Sequence, residues 1–177
     1  VAAFEREFAE ATGAGFTVGV GNSTDAIALA LRDAGVRGEV LTSALTAPFT
    51  ATAIRAAGCQ PRFVDVDPGD LQMEVHDLAA RASGRTRGIV AVHLYGQPCH
   101  IASTAAVCRM HDAVLIQDAC QAHGARSGVR PLTELSRYVC YSFYPTKNLG
   151  ALGDGGAVAT DDEATARRCR FHRNRGR

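Results

Sequence analysis

The sequence predicts an α/β fold, in which a mostly parallel sheet is covered by helices on both faces as a three-layer sandwich. Short apolar runs alternate along the chain with segments whose apolar residues recur at helical spacing, and this alternation is typical of βαβ units. The predicted strands are continuous apolar runs, which indicates burial on both faces. A length of 177 residues suits one domain.

In the first half of the chain, capping and turn residues bound the predicted elements. Ile27 and Leu31 are one helical turn apart, and a hydroxyl residue, Ser23 or Thr24, precedes them as the predicted N-cap. Gly58 follows the next helix, in the position that glycine favours after a helix end. We therefore predict strands at residues 17–20, 39–42 and 62–65, and helices at residues 24–34, 46–57 and 75–82.

The second half of the chain continues this alternation. A Gly-Gln-Pro turn at residues 96–98 ends one buried strand, and Asp118 follows the next. We predict strands at residues 88–93, 113–117, 138–143 and 156–160, and helices at residues 101–111 and 161–173. Ligands of open α/β sheets bind beyond the carboxyl ends of the strands. Since Ser23 and Asp118 both follow strand ends, we expect the functional site at that edge.

Composition and charge favour a cytoplasmic protein and give no indication of a membrane or nucleic-acid partner. The net charge is +1, and the basic stretch from Arg167 to Arg177 is interpreted as a solvated helix end. No apolar run reaches the ~18 residues that a membrane-spanning helix needs. The six cysteines are scattered without a CxxC pair, which fits reduced thiols.

One lysine is unusual in this composition. Of 19 basic residues 18 are Arg, and Lys147 is the only Lys. Arginine stays protonated, whereas a lysine amine can form an imine with an aldehyde. Lys147 follows a predicted strand and lies between a proline-containing turn and a glycine-rich stretch at residues 153–156. It is either an exposed loop lysine or an amine placed for covalent chemistry.

A glycine-rich turn at residues 19–25 joins the first predicted strand to a helix. The N–H groups and the dipole of a helix start suit a phosphate, and Ser23 and Thr24 add two hydroxyl donors. The simple alternative is an N-cap that binds nothing. A dinucleotide fingerprint is the competing functional interpretation, but Thr24 occupies its third glycine position and no acid follows the second strand.

An acid, Asp118, stands at a strand end within an apolar stretch, where a carboxylate is costly unless it is paired. A protonated pyridine nitrogen is one suitable partner, and turn capping is the simple alternative. Cys120 and His123 nearby lack the remaining ligands of a zinc site, so no metal is expected. Together, Lys147, Asp118 and the turn at residues 19–25 match the aldehyde, ring nitrogen and phosphate of pyridoxal 5'-phosphate (PLP).

Four segments closely resemble the DegT–StrS family of PLP-dependent nucleotide-sugar aminotransferases, which have fold type I: GVGNSTDAIALAL, HLYGQP, QDACQAHGA and SFYPTKNLGALGDGGAVAT. The resemblance extends from about Phe4 to Gly176. It implies an enzyme of amino-sugar biosynthesis that transfers an amino group from an amino acid, usually glutamate, to a ketone on a nucleotide-linked sugar. It also implies a homodimer.

The resemblance implies a role for each predicted site residue. Lys147 would form the Schiff base and shuttle protons, and Asp118 would pair with the pyridine nitrogen. Gln121 would lie near the phenolic oxygen of the cofactor. The residues that would hold the phosphate are Ser142, Ser23 and Thr24.

Two features depart from the family pattern. The family usually has a ring-stacking aromatic residue after Thr46, where this chain has Ala47, and Phe49 is expected to take that role. The family also continues beyond position 177 with a small domain. Residues 1–177 are therefore expected to be the large PLP-binding domain, with the carboxy-terminal small domain absent.

Other functions remain open at this point. Aminocyclitol and aminohydroxybenzoate synthases share the family motifs. Sugar dehydratases of the family commonly have a His in place of the lysine, so Lys147 favours amino transfer. A non-catalytic fragment that binds PLP weakly or not at all is the alternative from another class. A dinucleotide-dependent oxidoreductase fits the sequence least.

Overall fold

The computed structural model describes residues 1–174, in which helices and strands alternate along the chain. The strands are β1 (Phe16–Val20), β2 (Glu39–Ser43), β3 (Gln60–Val64), β4 (Thr86–Val92), β5 (Val114–Asp118), β6 (Arg126–Ser127), β7 (Arg130–Pro131), β8 (Tyr138–Ser142) and β9 (Gly156–Thr160). The helices are α1 (Ala2–Thr12), α2 (Ser23–Asp33), α3 (Pro48–Ala56), α4 (Val75–Arg81), α5 (Ile101–Met110) and α6 (Glu163–Arg173). Short 3-10 turns cover Leu94–Gly96 and Leu132–Glu134.

Seven strands form the central sheet in the order β1-β9-β8-β5-β4-β2-β3. The neighbours β2–β3, β2–β4, β4–β5 and β5–β8 pair in parallel, whereas β9 is antiparallel to both β1 and β8. The predicted mostly parallel sheet is confirmed. Because only β9 is reversed within this sheet, the other six strands end at one edge, where β9 begins.

Helices cover both faces of the sheet, as predicted. On one face α2, α3 and α6 pack against a cluster that includes Val40 and Val90. On the other face α4 and α5 pack against Leu41 and Ile89, and α1 covers the β8–β9 region through Phe8. Val40 and Leu41 enter different clusters because successive side chains of a strand point to opposite faces. This two-sided burial explains why the strands read as continuous apolar runs.

Three helix starts differ from the sequence prediction, and one of them is α6, which is predicted from residue 161 but begins at Glu163 after the N-cap Asp162. Asn22, and neither Ser23 nor Thr24, caps α2, because its backbone is extended and its Oδ1 accepts a hydrogen bond from the Asp25 N–H at 2.8 Å. Ser23 and Thr24 are instead the first two residues of the helix. The helix predicted from residue 46 begins at Pro48, since proline is favoured at the first helical position.

The first helix, α1, is absent from the sequence prediction, and the basic helix end is only partly solvated. Glu5 of α1 is buried and accepts hydrogen bonds from the Gly19 N–H at 2.9 Å and from Arg173 Nη1 at 2.8 Å. Arg170 Nη2 lies 3.2 Å from the other carboxylate oxygen of Glu5. Arginines of α6 thus attach α1 to the amino-terminal part of the sheet.

Residues 175–177 lie outside the described residues. The predicted domain and the basic stretch both end at Arg177, and the family-like stretch ends at Gly176. The ends of all three therefore lie outside the described residues. Within residues 1–174, no helix combines the length and the apolar character that crossing a membrane requires.

Candidate functional site

A cavity of about 580 Å³ opens at the edge of the sheet where the parallel strands end. The start of α2, the start of α3, the ends of β5 and β8 and the loop before β9 all border it. The carboxyl edge is where open α/β sheets bind their ligands. The predicted site residues that line the cavity are Lys147, Asp118, Ser142, Ser23, Thr24 and Phe49.

Asp118 presents a buried carboxylate to this cavity. It is the last residue of β5 and only 5% exposed. Its Oδ2 accepts a hydrogen bond from Thr50 Oγ1 at 2.8 Å, and its Oδ1 accepts one from the Cys120 N–H at 3.2 Å. A carboxylate has about four acceptor positions, so two donors leave capacity for a further N–H group. The arrangement suits a cationic nitrogen heterocycle.

The start of α2 supplies donors for an anion. Ser23 and Thr24 line the cavity at the first helical turn, where backbone N–H groups have no partner within the helix. Ser142, the last residue of β8, is 3% exposed and lines the cavity as well. The backbone of Gly156 lies close to the start of α2, and only glycine fits there, because a side chain would overlap the Asn22 carbonyl group. Hydroxyl and N–H donors at a helix start match a phosphate.

Lys147 lies in a loop that is folded back on itself. The Lys147 N–H donates to the Tyr144 carbonyl at 2.8 Å, and the Phe143 carbonyl accepts from the Ala151 N–H at 2.8 Å. Gly150 has no room for a side chain, because a Cβ would lie 2.5 Å from the Pro145 oxygen. These contacts give the half-buried Lys147 a defined position beside the cavity.

Gln121 is placed differently from the other predicted site residues. Within the described part of the chain it does not belong to the cavity lining. Its Oε1 accepts a hydrogen bond from the Tyr95 N–H at 2.8 Å. Tyr95 has a positive φ of 56°, so this contact supports a strained backbone position in the segment after β4.

His93, in the HLYGQP segment, is fully buried below the site. Its Nδ1 accepts a hydrogen bond from the Cys99 N–H at 3.0 Å, so the proton lies on Nε2, which donates to Gln117 Oε1 at 2.9 Å. Gln117 in turn donates to the Leu132 carbonyl at 2.7 Å. Burial lowers the pKa of His93, so the imidazole is neutral and joins β4, β5 and the following segment.

Cys120 has surroundings that disfavour a thiolate, and His123 lies among aromatic side chains. Burial raises the pKa of the Cys120 thiol well above its ordinary value, so this thiol stays protonated and unreactive. His123 packs among aromatic rings, and its pKa is lowered by burial. Neither ring nitrogen of His123 has a hydrogen-bond partner within residues 1–174.

Three further features of the cavity bear on the sequence expectations. Phe49 lines the cavity and is 63% exposed, and Ala47 lies next to it in the lining. Thr50 and Cys120 also line the cavity and both contact Asp118, although neither is among the site residues predicted from the sequence. The sequence feature that could have pointed to Thr50 is its hydroxyl group, which stands on an otherwise apolar helix face. Its partner is 68 positions away, so the sequence alone could not identify the contact.

Comparisons with known proteins find similar sequences and structures. The sequence profile of the DegT/DnrJ/EryC1/StrS aminotransferase family matches residues 1–177. The chain is 44% identical over 169 residues to a dTDP-3-amino-3,4,6-trideoxy-alpha-D-glucose transaminase of Micromonospora megalomicea subsp. nigra, covering 94% of this chain and 45% of that protein. It is also 44% identical over 161 residues to a pleiotropic regulatory protein of Geobacillus stearothermophilus, covering 90% and 43%.

A solved structure has the same fold. The crystal structure of S. venezuelae DesV in complex with a ketimine intermediate superposes with a TM-score of 0.94 at 36% identity. The superposition covers 99% of this chain and 48% of that one. The chain therefore spans about half the length of the proteins it matches.

Proposed function

This chain belongs to the DegT/DnrJ/EryC1/StrS aminotransferase family, and we propose that it is the PLP-binding large domain of an aminotransferase. The proposed reaction moves an amino group from an amino acid, glutamate in our proposal, to the keto group of a nucleotide-linked sugar. The observation that carries the proposal is one cavity bordered by Lys147, Asp118 and the start of α2. Aminotransferases of this family use PLP.

The residues around the cavity fit PLP in size and in chemistry. Small-molecule sites have volumes of roughly 300–1,000 Å³, and this cavity measures about 580 Å³. Asp118 would accept the ring N–H, and Lys147 would attach to the aldehyde carbon with loss of one water. The residues that would hold the phosphate are Ser23, Thr24 and Ser142.

When bound, PLP supplies a ring that withdraws electrons from the carbon beside the reacting nitrogen. The chain contributes three functions. Asp118 would keep a proton on the ring nitrogen, because a buried carboxylate favours a neighbouring cation. The Lys147 amine would accept the proton of the donor α-carbon and later give it back, so Lys147 would act as the proton shuttle. The start of α2 would hold the phosphate of the cofactor in place.

Gln121 and Phe49 have less direct support. The Tyr95 N–H occupies Gln121 Oε1, so in our proposal Gln121 would approach the phenolic oxygen of PLP with its Nε2 amide. Phe49 lines the cavity next to Ala47, and we propose that its ring replaces the aromatic residue that the family usually has after Thr46.

The proposal also covers the domain composition, the oligomeric state, the cellular location and the amino acceptor of the enzyme. The matched relatives are about twice as long, so in our proposal residues 1–177 form the large domain and a small domain completes the enzyme. We also propose a homodimer, a cytoplasmic location and a nucleotide-sugar ketone as the amino acceptor. Retention of Lys147 supports amino transfer over dehydration.

Release of 2-oxoglutarate from glutamate tests the amino-donor half of this reaction. The PLP-loaded protein is mixed with L-glutamate, and 2-oxoglutarate is measured with the Lys147→Ala variant in parallel. We expect stoichiometric release from the unaltered chain and none from the variant. If the folded, PLP-loaded chain releases no more than the variant, residues 1–177 do not carry out the amino-donor half of the reaction on their own.

A further inference from the structure

Thr50 of α3 contacts the Asp118 carboxylate directly. Thr50 is 2% exposed, and its Oγ1 lies 2.8 Å from Asp118 Oδ2. A second hydroxyl, Thr46 Oγ1, lies 3.0 Å from Thr50 Oγ1. The three groups form a short chain from the segment before α3 to the end of β5, at the border of the cavity.

The chemistry of the groups fixes the direction of both hydrogen bonds. An ionised carboxylate only accepts, so the single hydroxyl proton of Thr50 is directed at Asp118. Thr50 Oγ1 is then the acceptor toward Thr46, whose hydroxyl must donate. Both O–H dipoles therefore point toward the negative charge, and such charge-assisted, aligned bonds strengthen one another.

The two oxygens of Asp118 are held from different elements. Oδ2 is held by Thr50 of α3, and Oδ1 is held by the Cys120 N–H in the turn after β5. The helix itself is fixed, because Ala53 and Ile54 of α3 are fully buried in the core beneath it. The carboxylate plane is thus set by rigid neighbours before any ligand arrives, which is the condition for a preorganised site.

We infer that Thr50 is a positioning residue, which together with Thr46 orients the Asp118 carboxylate and stabilises its charge for the ring nitrogen of PLP. This inference rests on the proposed function. Thr50 acts through Asp118 and does not itself touch the reacting atoms. Without its hydroxyl, Asp118 would lose one of its two donors and the support of the rest of the hydroxyl chain.

The ring nitrogen of PLP provides a direct readout. The protein is loaded with PLP labelled with ¹⁵N in the ring, and the ¹⁵N chemical shift is recorded for the unaltered chain, Thr50→Val and Thr50→Ser. We expect Thr50→Val to move the shift toward that of an unprotonated pyridine and to weaken PLP binding about tenfold. Thr50→Ser keeps the hydroxyl and should retain the original shift.

Thr52→Val is the matched control, because Thr52 lies on the same helix, is exposed and bonds only to the Pro48 carbonyl among its described contacts. We expect no change in the shift. If Thr50→Val does not fold, the same measurement is made on Thr46→Val. We expect its ¹⁵N chemical shift to move in the same direction by a smaller amount. An unchanged ¹⁵N shift in the folded Val variant, with PLP still attached to Lys147, overturns the positioning role and leaves the proposed function intact. Failure of the unaltered, folded chain to take up PLP overturns the proposed function itself, and the inference with it.

Discussion

The backbone of Gly156 lies directly against the backbone of Asn22. A Cβ at Gly156 would overlap the Asn22 carbonyl and would lie 2.8 Å from the Ser23 nitrogen. Gly156 opens β9 after the loop that contains Lys147, and Asn22 caps α2, the helix whose start we propose to hold the phosphate. The contact therefore fixes the lysine loop relative to the proposed phosphate site.

We expect Gly156→Ala to separate these two segments. Because the clash is with backbone atoms, the free energy of unfolding should fall by about 1–3 kcal/mol, and PLP binding should weaken. Urea unfolding and a PLP titration measure both effects. Gly153→Ala is the control, since a Cβ there meets no atom within 4 Å. Equal stability and affinity of the two variants would contradict this account.

Most of the fold can be predicted from the sequence, because burial on both faces produces continuous apolar strands between helices of regular spacing. The helix α1 is harder to predict. Its residue Glu5 looks solvent-exposed in the sequence but is buried against Arg170 and Arg173, whose positions are 165 and 168 residues away. The hairpin of β6 and β7 has two residues in each strand, too few for any periodicity.

The candidate site is predictable where its residues follow strand ends. Asp118 and Ser142 end β5 and β8, and Lys147 is recognisable as the only lysine of the chain. Thr50 is not predictable, because its importance depends on a distance to Asp118 that only the packing of α3 establishes. The position of Gln121 outside the cavity lining depends likewise on the backbone of Tyr95.

Asp118→Asn should impair amino transfer without unfolding the protein. The single amide oxygen can accept from either Thr50 or the Cys120 N–H but not from both, and a neutral amide does not stabilise a protonated ring nitrogen. Loss of a charged hydrogen bond, worth about 1.5–3 kcal/mol, corresponds to a rate about 10- to 150-fold lower.

The measurement for this variant is the rate of 2-oxoglutarate release from glutamate by the PLP-loaded protein. Asp112→Asn is the control, because Asp112 is exposed, precedes β5 and has a φ of 51°, which asparagine tolerates. An Asp118→Asn variant with the original rate would remove Asp118 from the proposed chemistry.

Phe49→Ala tests the proposed contact with the ring face of the cofactor. An aromatic contact contributes about 0.5–1.5 kcal/mol, so PLP should bind about 2- to 10-fold more weakly. Thermal stability should change little, since the side chain is 63% exposed. Phe63→Ala, on the edge strand β3, serves as the control and should leave PLP affinity unchanged. If Phe49→Ala binds PLP as tightly as the original chain, the ring face is covered by another group.

Glu5 should make stability depend on pH. Burial alone raises the pKa of Glu5, but the hydrogen bonds from Gly19, Arg173 and Arg170 outweigh burial and hold the pKa below its ordinary value of 4.5. Because the pKa of Glu5 is lower in the folded protein than in the unfolded chain, Glu5 adds to the free energy of unfolding. This contribution is complete above the unfolded-state pKa and is lost as the pH falls through the folded-state pKa.

We therefore expect Glu5→Gln to be less stable than the original chain by about 1–3 kcal/mol near neutral pH. The difference should begin to shrink as the pH falls below about 4.5, where Glu5 becomes protonated in the unfolded chain, and should be lost at the lower pH at which the folded carboxylate is protonated. Urea unfolding between neutral and acidic pH measures it, with the exposed Glu7→Gln of the same helix as the control. A difference that stays constant down to the acid limit would exclude the charge of Glu5 as its cause.

Covalent labelling at Lys147 tests the central claim most directly. The purified chain is mixed with PLP, reduced with borohydride, digested and analysed by mass spectrometry, with Lys147→Ala treated identically. Because Lys147 is the only lysine, the amino terminus is the only competing amine. We predict a pyridoxyl group on the peptide that contains Lys147 and no label in that peptide of the variant. A well-folded chain that carries no label, or carries it only at the amino terminus, would contradict the account.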